Sequence, residues 1–211
     1  MLFNSLEFIF FFLIVFIVYW IIPSKKVALR NVTLIVASYT FYGYWDWRFL
    51  GLIFLSTVVD FISGIQIEKS PSKQRKKLWL LISLLVNLGV LAFFKYFDFF
   101  VTGFAEVLGS VGLQPNISTL NLILPLGISF YTFQTISYTV DVYRGQIKPT
   151  RNFAQFAIFV SFFPQLVAGP IERAKQLLPQ FSTGKKFSYT NAKKGGFLML
   201  YGFFKKLVIA D

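Results

Sequence analysis

The stretch FVSFFPQLVAGPIER, residues 159–173, decides how this chain is read. Its first half is apolar enough for a bilayer. Pro164, Gln165, Gly169 and Pro170 then interrupt it, and Glu172 and Arg173 close it. Proline removes a backbone donor and kinks a helix, and a glycine–proline pair ends one. A segment that could cross a membrane therefore carries its own break.

The rest of the chain sets the solvent. Of 211 residues, 55% are hydrophobic and 20% aromatic, and 14% are charged. Soluble domains usually carry about 25% charged residues. Several apolar runs approach the roughly 20 residues that span hydrocarbon. The expected class is all-α: a polytopic transmembrane protein of about six to seven membrane segments, built as one membrane-embedded domain. The net charge is +12, but the cations cluster between apolar runs, as membrane topology dictates, and nucleic acid is not expected as a partner. There are no cysteines and no histidines, so disulfides and thiolate metal sites are excluded and no metal is expected. The first run has no basic residue before it and no cleavage signal after it, so it is expected to stay as an anchor.

The expected spans are residues 6–22, 27–45, 49–67, 78–101 and 120–143. A broken segment follows over 153–170, then a short amphipathic helix over 171–181, a basic loop over 184–194 and a last helix from Gly195 to Asp211. If the first five runs each cross, eleven cations fall on one side: Lys25, Lys26, Arg30, Lys69, Lys73, Arg75, Lys76, Lys77, Arg144, Lys148 and Arg151. The positive-inside rule puts that side in the cytoplasm and the N-terminus outside. A crossing sixth run would strand Arg173, Lys175, Lys185, Lys186, Lys193 and Lys194 outside. The conflict vanishes if the run enters and turns back, because irregular backbone at membrane depth survives when buried in protein or lining a cavity. The competing reading is a proline-kinked helix that crosses with cations tolerated outside.

Polar groups inside the runs are the candidate functional residues. Asp60 reads either as a cavity acceptor or as a hydrogen-bond partner for Asn87 or Asn31. In LPLGISFYTFQTISYTVDVYRG, residues 124–145, Tyr131, Gln134, Ser137, Tyr138, Asp141 and Arg144 share one helical stripe, with Thr132, Thr135 and Thr139 outside it. Lipid cannot satisfy such a stripe, so it faces either a substrate tunnel or another helix. Asp141 and Arg144 are spaced to pair. Lys205 and Lys206 in the last run either face a hydrated cavity, where they could attract a phosphate-bearing donor, or lie near a tilted helix end.

Three motifs in order, LPLGISFYTFQTISYTVDVYRG, FVSFFPQLVAGPIER and GFFKKLVIAD, resemble the membrane-bound O-acyltransferases. The likeness is to the bacterial branch of alginate O-acetyltransferases and teichoic acid D-alanyl transfer proteins, and SYTFYGYWDW near the N-terminus fits it too. The resemblance implies part of a ring of helices around a tunnel. A thioester donor, on coenzyme A or an acyl carrier protein, would approach from the cytoplasm. The acyl group would pass to a polysaccharide hydroxyl or a partner protein outside the inner membrane. It also marks Pro164, Gln165, Gly169 and Pro170, with Tyr131, Gln134, Ser137 and Tyr138, as tunnel candidates, and Lys205 and Lys206 as donor-phosphate candidates. No bound cofactor is implied, and membrane lipids surround the whole. The family's chemistry centres on a histidine that follows the GFFKKLVIAD-like segment. This chain has none, so the resemblance puts the catalytic histidine beyond Asp211. The expectation is an N-terminal portion of a longer enzyme, inactive by itself. A membrane transport component or a non-catalytic scaffold is the alternative. Transporters often carry paired broken segments, and the PQLVAGP break has no counterpart elsewhere in the sequence.

Overall fold

The computed structural model describes residues 3, 5–110, 125–166 and 170–210, and every element among them is helical. Helix α1, Leu6–Ile21, starts where the Ser5 hydroxyl accepts the Phe8 amide, and stops ahead of Pro23. Helix α2, Val27–Asp46, and α3, Leu50–Lys69, are joined by a tight 3-10 turn, Trp47–Phe49, and so run antiparallel. Each has 20 residues, or about 30 Å of rise, the thickness of a hydrocarbon core. Helix α4, Lys73–Ser110, is longer than the expected fourth run at both ends. The stretches long and apolar enough to cross a bilayer among the described residues are two, Val27–Lys69 with its internal turn and Lys73–Phe97.

Helix α5, Ile128–Tyr143, is bounded by two glycines in the left-handed region. Gly127, at φ 73°, admits the chain after Pro125. Gly145, at φ 71°, closes the helix: its amide bonds to the Val142 carbonyl and the Gln146 amide to that of Asp141, a Schellman stop. The expected start near residue 120 moves to 128 because Pro125–Gly127 is a turn, and residues 120–124 lie outside the described part.

Over 153–166 the helix is interrupted, but not at its proline. Helix α6, Phe153–Ser161, ends at Phe162, whose ψ of 108° leaves the helical region; α7, Phe163–Leu166, follows. Pro164 sits in the first turn of α7, where a missing amide costs nothing. Helix α8, Ala174–Ser182, replaces the expected amphipathic helix over 171–181. Helix α9, Tyr189–Phe204, begins six residues earlier than expected, capped by Ser188, and runs into a π-helical turn, Lys205–Ala210. The expected last helix is thus α-helical only as far as Phe204, and Asp211, its expected final residue, lies outside the described part. The expected basic loop stops before Lys193 and Lys194, which lie on α9.

Helices α3, α4 and α5 pack together, and α6 sits between α2 and α3 with α8 against it. The core centres on α6, where Phe156, Ile158, Phe159 and Val160 are fully buried. The chain just before this segment and the chain beyond α8 are each tied to a helix end. On the way in, Arg151 pairs with Glu68, next to last in α3, at 3.2 Å. On the way out, Asn31 donates to the Phe181 carbonyl and Arg30 to that of Lys185, both from the first turns of α2. Between them the Phe163 amide reaches Ser38 at 3.2 Å. Ser38 lies about 16 Å along α2 at 1.5 Å per residue.

Candidate functional site

Breaking a helix inside protein strands backbone groups that water would otherwise satisfy. At this break two of those groups find side-chain partners. The Phe163 amide, which a continuous helix would point at the Phe159 carbonyl, goes instead to the Ser38 hydroxyl. The orphaned Phe159 carbonyl accepts from the Gln134 amide at 2.5 Å and from Gln165 at 3.3 Å. Two residues singled out as tunnel candidates therefore cap the bend. Tyr131 and Tyr138 are wholly buried, and the Tyr138 ring lies 4.6 Å from that of Phe156 on the broken helix, tilted by 46°. The Tyr131 and Thr132 hydroxyls are buried without a hydrogen-bond partner among the described residues. Ser137 is partly buried, its hydroxyl returned to the Gln134 carbonyl. Pro164 and Pro170 are exposed, and Gly169 lies outside the described residues.

Beside the bend is a second polar cluster. Asp60 on α3 is completely buried and accepts from Ser83 and, at 2.7 Å, Asn87 of α4, and from Thr139 of α5 at 2.8 Å. Thr135 adds a contact to Asn87 at 3.3 Å. Asp60 is thus a partner for other helices, with Asn87 as foreseen; Asn31 is spent on Phe181. The stripe drawn on α5 needs correcting. Thr132, Thr135 and Thr139, placed outside it, are among the most buried residues of the helix. Asp141 and Arg144, placed inside it as a pair, make no ion pair, and Arg144 is exposed at the helix end. The polar face turned to protein is wider than the stripe because α5 meets α3, α4, α6 and α8 at once.

Lys205 and Lys206 stand apart from these clusters. No residue of α9 is buried, and the Lys205 ammonium lies over the Tyr201 ring at 4.5 Å. Against α1, α2 and the bend is an apolar groove of about 250 Å³, lined by Phe12, Phe16, Tyr19, Leu34 and Phe163 and edged by Pro164 and Lys185. No group of three or more metal-ligating residues occurs among the described residues.

The chain matches, over its whole length, the N-terminal part of bacterial proteins named as O-acetyltransferases, which are of the membrane-bound O-acyltransferase type. The particular relatives act on surface polymers by name. The chain is 41% identical over 216 residues to Probable alginate O-acetylase AlgI of Pseudomonas aeruginosa, covering all of this chain and 40% of that protein. It is 38% identical over 240 residues to the Peptidoglycan O-acetyltransferase of Helicobacter pylori, again covering all of this chain and 45% of that protein. A shorter likeness, 32% over 65 residues, links 31% of the chain to 16% of the Teichoic acid D-alanyltransferase of Bacillus subtilis. The chain spans about two fifths of the length of the alginate O-acetylases it matches. No family model matches it, and no solved structure does.

Proposed function

We propose that this chain is the N-terminal part of a membrane O-acyltransferase that moves an acyl group, acetyl in the first instance, from a cytoplasmic thioester to a hydroxyl of an exported polysaccharide or wall polymer. The observation that carries this reading is the 41% and 38% identity, over the entire chain, to relatives named for O-acetylating alginate and peptidoglycan. In this reading the chain is one multi-pass domain of the inner membrane, N-terminus outside, basic loops in the cytoplasm, with six or seven membrane segments. The segment over 153–170 is re-entrant. Its support is that Arg151 is tied to the last turn of α3 and Lys185 to the first turn of α2, both cytoplasmic in this topology.

In this reading each cluster has a role. The Asp60 cluster locks α3, α4 and α5, and the capped bend sets the position of α7 and Pro164. Tyr131 and Thr132, whose buried hydroxyls have no partner among the described residues, are the groups on α5 with hydrogen-bonding capacity left for a substrate. Lys205 and Lys206 meet the phosphates of the donor. In this reading the base that activates the acceptor hydroxyl is a histidine, as the resemblance implies; the 211 residues hold none and are expected not to turn over alone.

Residues 1–211 can be grafted in place of the matching part of the Pseudomonas alginate O-acetylase. Acetylated alginate from the chimera is the expected result, and a folded, membrane-inserted chimera that leaves the polymer unacetylated would refute the reading. Expressed alone with a thioester donor and acceptor polymer, residues 1–211 are expected to give no transfer above background.

A further inference from the structure

The groove between α1, α2 and the bend ends in an unbalanced cluster of positive charge. Arg30 is buried, at 4% exposure. Its guanidinium donates through Nε and Nη2 to the Ile22 carbonyl and through Nη1 to the Lys185 carbonyl, at 2.6 to 3.0 Å. It lies 4.8 Å from the Tyr19 ring and 5.2 Å from the Trp20 ring, both of which line the groove. No carboxylate among the described residues pairs with it; the ion pairs there are Arg48–Asp46 and Arg151–Glu68. A buried charge without a counter-ion is costly.

More cations join at the same place. Gly184 lies against the Ser24 carbonyl, bringing the Lys25–Lys26 connection and Lys185–Lys186 side by side. All four lysines are exposed, and none forms an ion pair among the described residues. The groove that opens there is apolar apart from the Gln180 amide and the lysine at its rim. One wall is α1, whose other face is exposed and apolar: Ile14, Ile17 and Val18 are 41–62% accessible. Tyrosine and tryptophan favour the depth of lipid headgroups, which puts the Tyr19–Trp20 end of the groove in that layer.

We propose that this groove is a binding site for an anionic phospholipid, one acyl chain lying along Phe12, Phe16, Leu34 and Phe163 and the phosphate-bearing headgroup set against Lys25, Lys26, Lys185 and Lys186. The headgroup neutralises the buried guanidinium as well as the lysines. A lipid in this position holds α1 against the returning limb of the bend. The site shares with the proposed tunnel only Pro164, at its edge, and uses none of the hydroxyls or lysines assigned to the reaction above. A thioester donor also joins an anion to an acyl chain. The lipid is favoured because the groove borders the lipid-exposed helix α1 and its mouth sits at headgroup depth.

The purified 211-residue chain, with Trp45, Trp47 and Trp79 changed to phenylalanine, leaves Trp20 as the sole tryptophan reporter. Its fluorescence is titrated with chain-brominated phosphatidylglycerol and, separately, phosphatidylcholine bearing the same brominated chains. Phosphatidylglycerol is expected to quench at about fivefold lower concentration or less, and each of Lys185→Gln and Lys186→Gln to reduce that preference about fivefold, the effect of one cation in the headgroup layer. Val15→Phe, which narrows the groove, is expected to weaken quenching by both lipids. Equal quenching by the two lipids, or a preference unchanged in the double glutamine variant, overturns the site. So does full quenching in Val15→Phe, or displacement of the brominated lipid by acetyl-coenzyme A, which would hand the groove to the donor.

Discussion

Replacing Asp60 with alanine tests whether three helices are held by one carboxylate. The side chain accepts from Ser83, Asn87 and Thr139, and removing it leaves three donors inside a packed core. Interhelical hydrogen bonds in membrane proteins are worth about 0.6 kcal/mol on average and up to about 1.7. Three of them give a loss of about 2–5 kcal/mol for Asp60→Ala. Asp60→Asn should cost less. Its amide oxygen can take the place that accepts from Ser83 and Thr139, while its NH₂ faces the Asn87 amide nitrogen. One bond is lost, at about 0.6–1.7 kcal/mol. Deleting the donors along with the acceptor should recover part of the loss, because the largest penalty falls on a group left unsatisfied. The quadruple variant Asp60→Ala, Ser83→Ala, Asn87→Leu, Thr139→Val is therefore expected to be more stable than Asp60→Ala. The measurement is unfolding of the purified chain in mild micelles on titration with a denaturing detergent, followed by circular dichroism. Asp60→Ala within about 0.5 kcal/mol of the parent, below the average for even one such bond, or Asp60→Asn as damaging as Asp60→Ala, would refute the argument.

Gly64→Ala puts a methyl group 2.9 Å from the Tyr138 hydroxyl oxygen and 3.0 Å from its ring; with that ring fully buried, overpacking is expected to cost about 1–3 kcal/mol in the same assay. Gln134→Leu removes the shorter cap on the Phe159 carbonyl, and protease cutting within 159–173 is expected to become faster while cutting in the α3–α4 connection does not. Arg30→Lys keeps the charge but loses the planar fork that reaches two carbonyls, so it should loosen residues 181–186, seen as faster amide exchange there. Single cysteines at Lys185 and Lys193 should react with an impermeant thiol reagent from the cytoplasmic side, and labelling from outside intact cells would contradict re-entry.

What the sequence made legible was mostly written in backbone chemistry. Gly145 and the residues around it predict where α5 stops, and Pro23 where α1 stops, because each fixes a conformation locally. The bend was legible as an event but not as a position. A proline is tolerated in a first helical turn, so Pro164 marks the start of α7 rather than the break, and the break itself depends on Ser38, 125 positions earlier. The α5 stripe failed for a related reason. Periodicity ranks faces by polarity, and threonine carries both a methyl and a hydroxyl, so it joins a polar or an apolar face as its neighbours dictate. Nothing local announced that Thr139 would meet Asp60 across 79 positions. The Asp141–Arg144 spacing permits a pair, yet Arg144 is the C-cap and points into solvent, where such a pair is worth little.

The capped bend also dictates an order of assembly. Ser38, Gln134, Arg30 and Asn31 all precede the segment they receive, and translation delivers them to the membrane first. When Phe153–Leu166 leaves the ribosome, the groups that cap its break are already made, so the segment can dock on α2 and α5 as it emerges.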